Sequence, residues 1–190
     1  MSRAGAETRA RVVESAKERM RRHGVAATSM LDAIADAGAS RGSLYHYFPG
    51  GKAQLIEEAT SVACAEYGAA FSLIEGMDAT DAIPMVVDYW RAQVEETNYS
   101  AGCPVAAAAL SGDETESART TAGIGFAEWT ASIEKMLLTS HVPAARAGAL
   151  ASLILAAVEG AVLVSLAQRS TEQMEQVAAE VLRIIDAARA

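Results

Sequence analysis

Apolar residues along the chain recur every three to four positions and show no sustained alternation, so the pattern predicts helices throughout and no strand. The first periodic segment runs from Glu7 to His23, with Ala10, Val13, Ala16 and Met20 on one face and Gly24 as its stop. Ser29 and Asp32 have the spacing of a capping box, which starts a second helix at Met30, and Gly38 ends it. Ser40 is placed to cap a third helix, which carries Arg41 to Phe48 and must close before Pro49-Gly50-Gly51. Two short helices joined at a glycine, after a longer one able to pack across them, form the arrangement of a helix-turn-helix.

From Lys52 onward the pattern predicts six more helices. They cover Lys52 to about Glu75, Asp81 to about Asn98 with Pro84 in the first turn, and Val105 to Leu110. The next runs from Glu114 to Thr139 with a kink expected near Gly123 and Gly125, and another from Pro143 to Gln168. The last starts at Thr171 and places Met174, Val177, Ala178, Val181, Leu182 and Ile185 on one face. The expected fold is all-α, with a three-helix head over residues 1–50 and a six-helix body over residues 51–190.

Composition narrows the class. Forty-two of the 190 residues are alanine and only 4 are proline, while 51% are hydrophobic, enough for a true core. Collagen-like, low-complexity and disulfide-scaffold chains are excluded on these figures. Cys64 and Cys103 lie in no CxxC or Cys/His cluster and read as free thiols in a reducing compartment. Arg3, Glu7, Arg9 and Arg11 occupy the stretch where a signal peptide would be apolar, so the expected location is cytoplasmic. The apolar run from Gly148 to Ala167 is interrupted by Glu159 and rich in small residues, which suits close helix packing better than a membrane span.

The net charge of -8 is unevenly distributed. Residues 1–52 hold nine Lys/Arg and five Asp/Glu, a balance of +4, and the rest of the chain stands at -12. A basic head on an acidic body implies that only the head meets a polyanion.

The segment from Ser29 to Leu55, SMLDAIADAGASRGSLYHYFPGGKAQL, resembles the DNA-binding domain of the TetR/AcrR family of bacterial transcriptional regulators. Its marks are the Ala-Gly turn, the Ser-x-Gly-x-Leu-Tyr-x-Tyr-Phe recognition helix and a Lys opening the fourth helix. Pro49-Gly50-Gly51 is one residue longer than the family's spacer, which is expected to move Lys52 relative to the DNA backbone. Gly102-Cys103-Pro104-Val105, the alanines after it and Ser111-Gly112-Asp113 are similar to the LmrA/YxaF-like branch. That resemblance implies an operator-binding repressor, a homodimer through helices at about 144–168 and 171–189, and a small hydrophobic or aromatic inducer.

The residue chemistry fits such a reader. Arg41 suits bidentate bonding to guanine O6 and N7, and Gly42 beside it lets backbone approach the groove. Thr28, Ser29, Ser43, Tyr45, Tyr47 and Lys52 are suited to phosphates, His46 to a base edge or a phosphate, and Ser40 is a further candidate for DNA contact. Leu44 and Phe48 are expected in the core, and Tyr45 and Tyr47 divide between packing and phosphate contact. In the body, Met77, Met85, Tyr89, Trp90, Val94, Phe126, Trp129, Ile133 and Met136 are candidates for an apolar pocket, with Trp129 and Tyr89 favoured as ligand-facing. Such a stripe also serves as ordinary core.

The sequence leaves two other classes open. One is a ligand-binding enzyme without DNA binding, using Glu159, His141 and Cys103, but no Ser-His-Asp order, HExxH or phosphate-binding glycine loop supports it. The other is a helical protein-interaction module. No metal or cofactor site is expected.

Overall fold

Nine α-helices make up most of the computed structural model, which describes residues 3–189, and no strand occurs among those residues. They are α1 (Arg3–Ala27), α2 (Met30–Asp36), α3 (Leu44–Tyr47), α4 (Gly51–Ile74), α5 (Ala79–Glu96), α6 (Pro104–Ala109), α7 (Glu116–Thr139), α8 (Ala144–Gln168) and α9 (Glu172–Arg189). Short 3-10 turns at Arg41–Ser43 and Asp113–Thr115 lead into α3 and α7. The all-α expectation is met.

Contacts gather into two compact units, one of residues up to Ala65 with Cys103–Gly125, the other of Glu66–Gly102 with the chain from Phe126 onward. These are contact units; the 50/51 division read from the sequence marks where the DNA-reading head is expected to end.

In the first unit α1 packs against both α2 and α6. Val12, Ala16 and Met20 of α1 are fully buried with Ile34, Phe48, Leu55 and Ile56. Burial of each larger side chain contributes about 1.5 to 3 kcal/mol. Gly24 breaks α1 with φ 75 and ψ 169, a conformation that costs glycine little. Ser29 caps α2 by accepting the Asp32 N–H at 3.4 Å, and the chain leaves α2 through Gly38 at φ 66. The third helix differs from its expectation. Ser40 makes no side-chain cap; its hydroxyl lies 3.2 Å from the Ser43 hydroxyl, which donates to the Ser40 carbonyl at 2.7 Å. The segment therefore begins as a 3-10 turn, and α3 is a single turn.

In the second unit α8 packs against α9 and α5, and α5 against α9. Ile74, Val94, Trp129, Met136, Leu137 and Ile185 form its fully buried core. Helix α5 starts two residues earlier than expected because Asp78 caps it, accepting from the Thr80 N–H at 2.9 Å and the Thr80 hydroxyl at 2.8 Å. Pro84 consequently lies inside α5, beyond its first turn. Asp78 also accepts two bonds from Arg189 Nη2, at 3.0 and 2.8 Å, tying the last residue of α9 to the start of α5. These donors, the Thr80 backbone N–H foremost, lower the Asp78 pKa to about 2. Helix α7 is unbroken through Gly123 and Gly125, against the expected kink.

Candidate nucleic-acid interface and effector pocket

The turn carrying Arg41, the single turn of α3, the start of α2 and the start of α4 come together on one side of the first unit. They line an open groove of about 460 Å³ that includes Thr28, Ser29, Arg41, Tyr45 and Lys52, together with Met30 and Leu31, which sequence reasoning passed over. Ser40, Arg41, Gly42, Tyr45 and His46 are exposed, Tyr45 at 72%, while Ser29, Ser43, Tyr47 and Lys52 are half-buried. Lys52 stays at the groove despite the longer Pro-Gly-Gly spacer, because Gly51 takes φ 69 and the Lys52 ammonium donates to the Ala26 carbonyl at 3.0 Å. A β-carbon at Gly42 would meet nothing within 4 Å, so its backbone stands open to a ligand.

Thr28 differs from its expected role. It is 1% exposed, and its hydroxyl donates to the Gly24 carbonyl at 2.8 Å, closing the turn after the break in α1. The hydroxyl is thus engaged inside the head. Leu44 and Phe48 are buried as expected.

The charges of the head are not equivalent. Arg3 pairs with Glu7, Arg9 with Glu58, Lys17 with Glu14, Arg19 with Asp32 and Asp36, and Arg21 and Arg22 with Glu18. Arg11 donates to the Ala37 carbonyl, and Lys52 to that of Ala26. The Asp36 carboxyl is held below its usual range, chiefly by the hydrogen bond from Arg19. Among the described residues of the head, Arg41 alone of the Lys and Arg side chains has no partner within the chain. An exposed guanidinium in that position has all five of its donors to offer.

In the second unit an apolar cavity of about 160 Å³ opens between α4 and α5. Tyr67, Ala70, Phe71 and Leu73 of α4 and Met85, Val86, Tyr89 and Trp90 of α5 line it. Met85, Tyr89 and Trp90, candidates named from the sequence, are among the lining residues. Trp129, Phe126 and Ile133 do not line this cavity. Trp129 is 1% exposed and packs behind the wall, stacked on Phe71 at 5.4 Å and edge-on to Tyr67 at 5.6 Å and Phe126 at 5.2 Å. Ile133 and Met136 border a separate gap of about 10 Å³, too small for an organic ligand, and Val94 is fully buried. The missed wall is α4, where Tyr67 and Phe71 stand four residues apart on one face.

Cys103 is buried and caps α6 by accepting the Ala106 N–H at 3.4 Å, a structural use of the thiol. Among the described residues no group of three or more His, Cys, Asp and Glu has the geometry to hold a metal ion. Among the described residues one helix, α8, is long and apolar enough to cross a membrane, with a mean hydropathy of 2.2. Its inner face, including Leu150, Ile154, Val158 and Val162, is buried within the second unit.

Residues 12–59 match the profile of bacterial regulatory proteins of the tetR family, and residues 79–180 that of the LmrA/YxaF-like transcriptional regulator C-terminal domain. The HTH-type transcriptional regulator Rv0196 of Mycobacterium tuberculosis is 35% identical over 176 residues, 89% of each chain. The HTH-type transcriptional regulator YxaF of Bacillus subtilis is 27% identical and covers 92% of this chain and 93% of its own. The fold is shared with a TetR regulatory protein from Rhodobacter sphaeroides, at a TM-score of 0.81 and 14% identity, over 96% of this chain and 98% of that one. A helix-turn-helix head with a free arginine and an α-helical body of the LmrA/YxaF-like kind place this chain in the tetR family of bacterial transcriptional regulators.

Proposed function

We propose that the protein is a cytoplasmic repressor that holds a roughly palindromic operator as a dimer and leaves it when a small aromatic molecule fills the cavity between α4 and α5. The observation that carries the DNA reading is the unpaired state of Arg41, set beside Tyr45, Ser29 and Lys52 in one exposed groove. Arg41 reads a guanine edge, while Ser29, Ser40, Ser43, Tyr45, His46, Tyr47 and Lys52 position the head on phosphates. Thr28 serves by shaping the entry to α2.

Family members bind operator DNA and form dimers, and α8 has a surface suited to the second role. Ala149, Ser152, Leu153, Ala156, Gly160 and Leu163 form an exposed small and apolar stripe, with Leu153 at 50% and Leu163 at 68% exposure. Pairing helices 144–168 and 171–189 with those of a second copy covers that stripe and sets two heads one helical turn of DNA apart. A cavity of 160 Å³ matches a single-ring ligand, since about 150 Å³ is enough to hold benzene. A ligand there contacts α4, the helix that begins at the head, and DNA and ligand compete if each favours a different head spacing.

The test is selection of duplexes from a random-sequence pool, then footprinting of the enriched sequence with and without a panel of one-ring aromatic compounds. A palindromic enriched site released by at least one compound is the expected result. Retention of no sequence over background would overturn the regulator reading.

A further inference from the structure

Helix α3 is one turn long, too short to hold its own orientation, so whatever fastens its ends decides where Arg41 and Tyr45 point. Its C-terminal end is fastened from both sides. Arg9 of α1 donates from Nε to the Tyr47 carbonyl at 3.3 Å, lies with Cζ 4.9 Å from the centre of the Phe48 ring, and pairs through Nη2 with Glu58 of α4. Glu58 also accepts from Gln54 Nε2 at 3.0 Å, and Gln54 Oε1 in turn accepts the Gly50 N–H at 2.8 Å. One guanidinium thus meets a last-turn carbonyl, the aromatic face of the next residue and a carboxylate of the following helix. Cations are favoured at helix C-termini for the same reason.

We infer that Arg9 is a positioning residue for base recognition: it locks the reading turn to α4, so that operator selectivity depends on it although it reads no base. The inference rests on the DNA-binding role of Arg41. The planar guanidinium makes the three contacts together, which the ammonium of a lysine does not. Both Arg9 and Glu58 side chains are 28% exposed, so the site tolerates substitution better than a closed core.

The experiment compares the full-length chain with Arg9→Met, Arg9→Lys and Arg41→Ala. Binding to the selected duplex and to a scrambled one is measured by fluorescence anisotropy from 50 to 200 mM salt, with folded fraction checked by circular dichroism. Arg9→Met is expected to weaken the selected duplex by about tenfold, to leave the scrambled duplex unchanged and to keep the salt slope. Arg9→Lys is expected to lose part of that selectivity; it decides the matter if Arg9→Met does not fold. Equal weakening on both duplexes, a smaller salt slope, or no change in either variant would overturn the inference. If Arg41→Ala loses selectivity and the Arg9 variants do not, only this inference falls. If the wild-type chain selects no sequence, the DNA reading falls and takes the inference with it.

Discussion

Gly125 of α7 passes Cys64 of α4 so closely that a β-carbon at residue 125 would lie 2.5 Å from the Cys64 sulfur and 3.1 Å from its Cβ. Glycine is favoured here by space, since a methyl group has no room unless the Cys64 sulfur turns away or the helices part. Gly125→Ala is expected to cost about 1 to 3 kcal/mol as overpacking. That corresponds to a melting temperature lower by about 3 to 9 °C for a chain of this size. Thermal unfolding with Cys64→Ala added should recover most of the loss, because the sulfur is the nearer obstacle.

Arg41 and Lys52 are expected to fail differently. Arg41→Ala should cost about 1 to 3 kcal/mol on the selected duplex and relax the preference at one base pair. Lys52→Ala should weaken all duplexes alike and reduce the salt slope by about one. Affinities over single-base operator variants at two salt concentrations separate the two; the same loss of selectivity from both would contradict the roles assigned.

Asp78 links stability to acid pH. Its folded pKa of about 2 lies below the ordinary 3.8, so its contribution is fully present above about pH 4 and is lost as the pH falls toward 2. The side chain is 41% exposed, so solvent screening limits the ion-pair part. Asp78→Ala, which removes the cap of α5 as well, is expected to cost about 1 kcal/mol at neutral pH. Urea unfolding at pH 7 and pH 2.5 checks this: the gap between wild type and variant should shrink at the lower pH.

Both tryptophans belong to the second unit, but only Trp90 lines the cavity. An aromatic ligand should therefore quench the fluorescence of the wild type and of Trp129→Phe, and leave that of Trp90→Phe little changed. Met85→Ala should weaken binding by about tenfold through lost apolar contact. Quenching that follows Trp129 would move the ligand to a different site.

Much of the helix pattern was legible because its punctuation is local. Gly24, Ser29 and Gly38 each do in the structure what their residue type suggests. The departures have distant or competing causes. Ser40 has the right side chain for a cap, but its hydroxyl meets Ser43 instead. Asp78 lies before the helix start expected at Asp81, and its cap through Thr80 is reinforced by Arg189, 111 residues away. The candidate DNA residues could be named from motif and chemistry, whereas the isolation of Arg41 could not, because Arg9 finds Glu58 49 residues on and Arg19 finds Asp36 17 residues on. In the body an apolar stripe marks the inward face of α7 but not whether a hollow lies there. Trp129 faces other rings, and the hollow lies between α4 and α5, with Tyr67 and Tyr89 among its lining.

The packing of α6 on α1 has a consequence for synthesis. The first unit is completed only by Cys103–Gly125, so a ribosome that has finished Ala65 has yet to make the segment that covers α1. At about 5 to 20 residues per second, the 60 residues from Ala65 to Gly125 take roughly 3 to 12 seconds. Through that interval the nascent N-terminal segment carries an uncovered greasy flank, open to chaperones and to neighbouring chains.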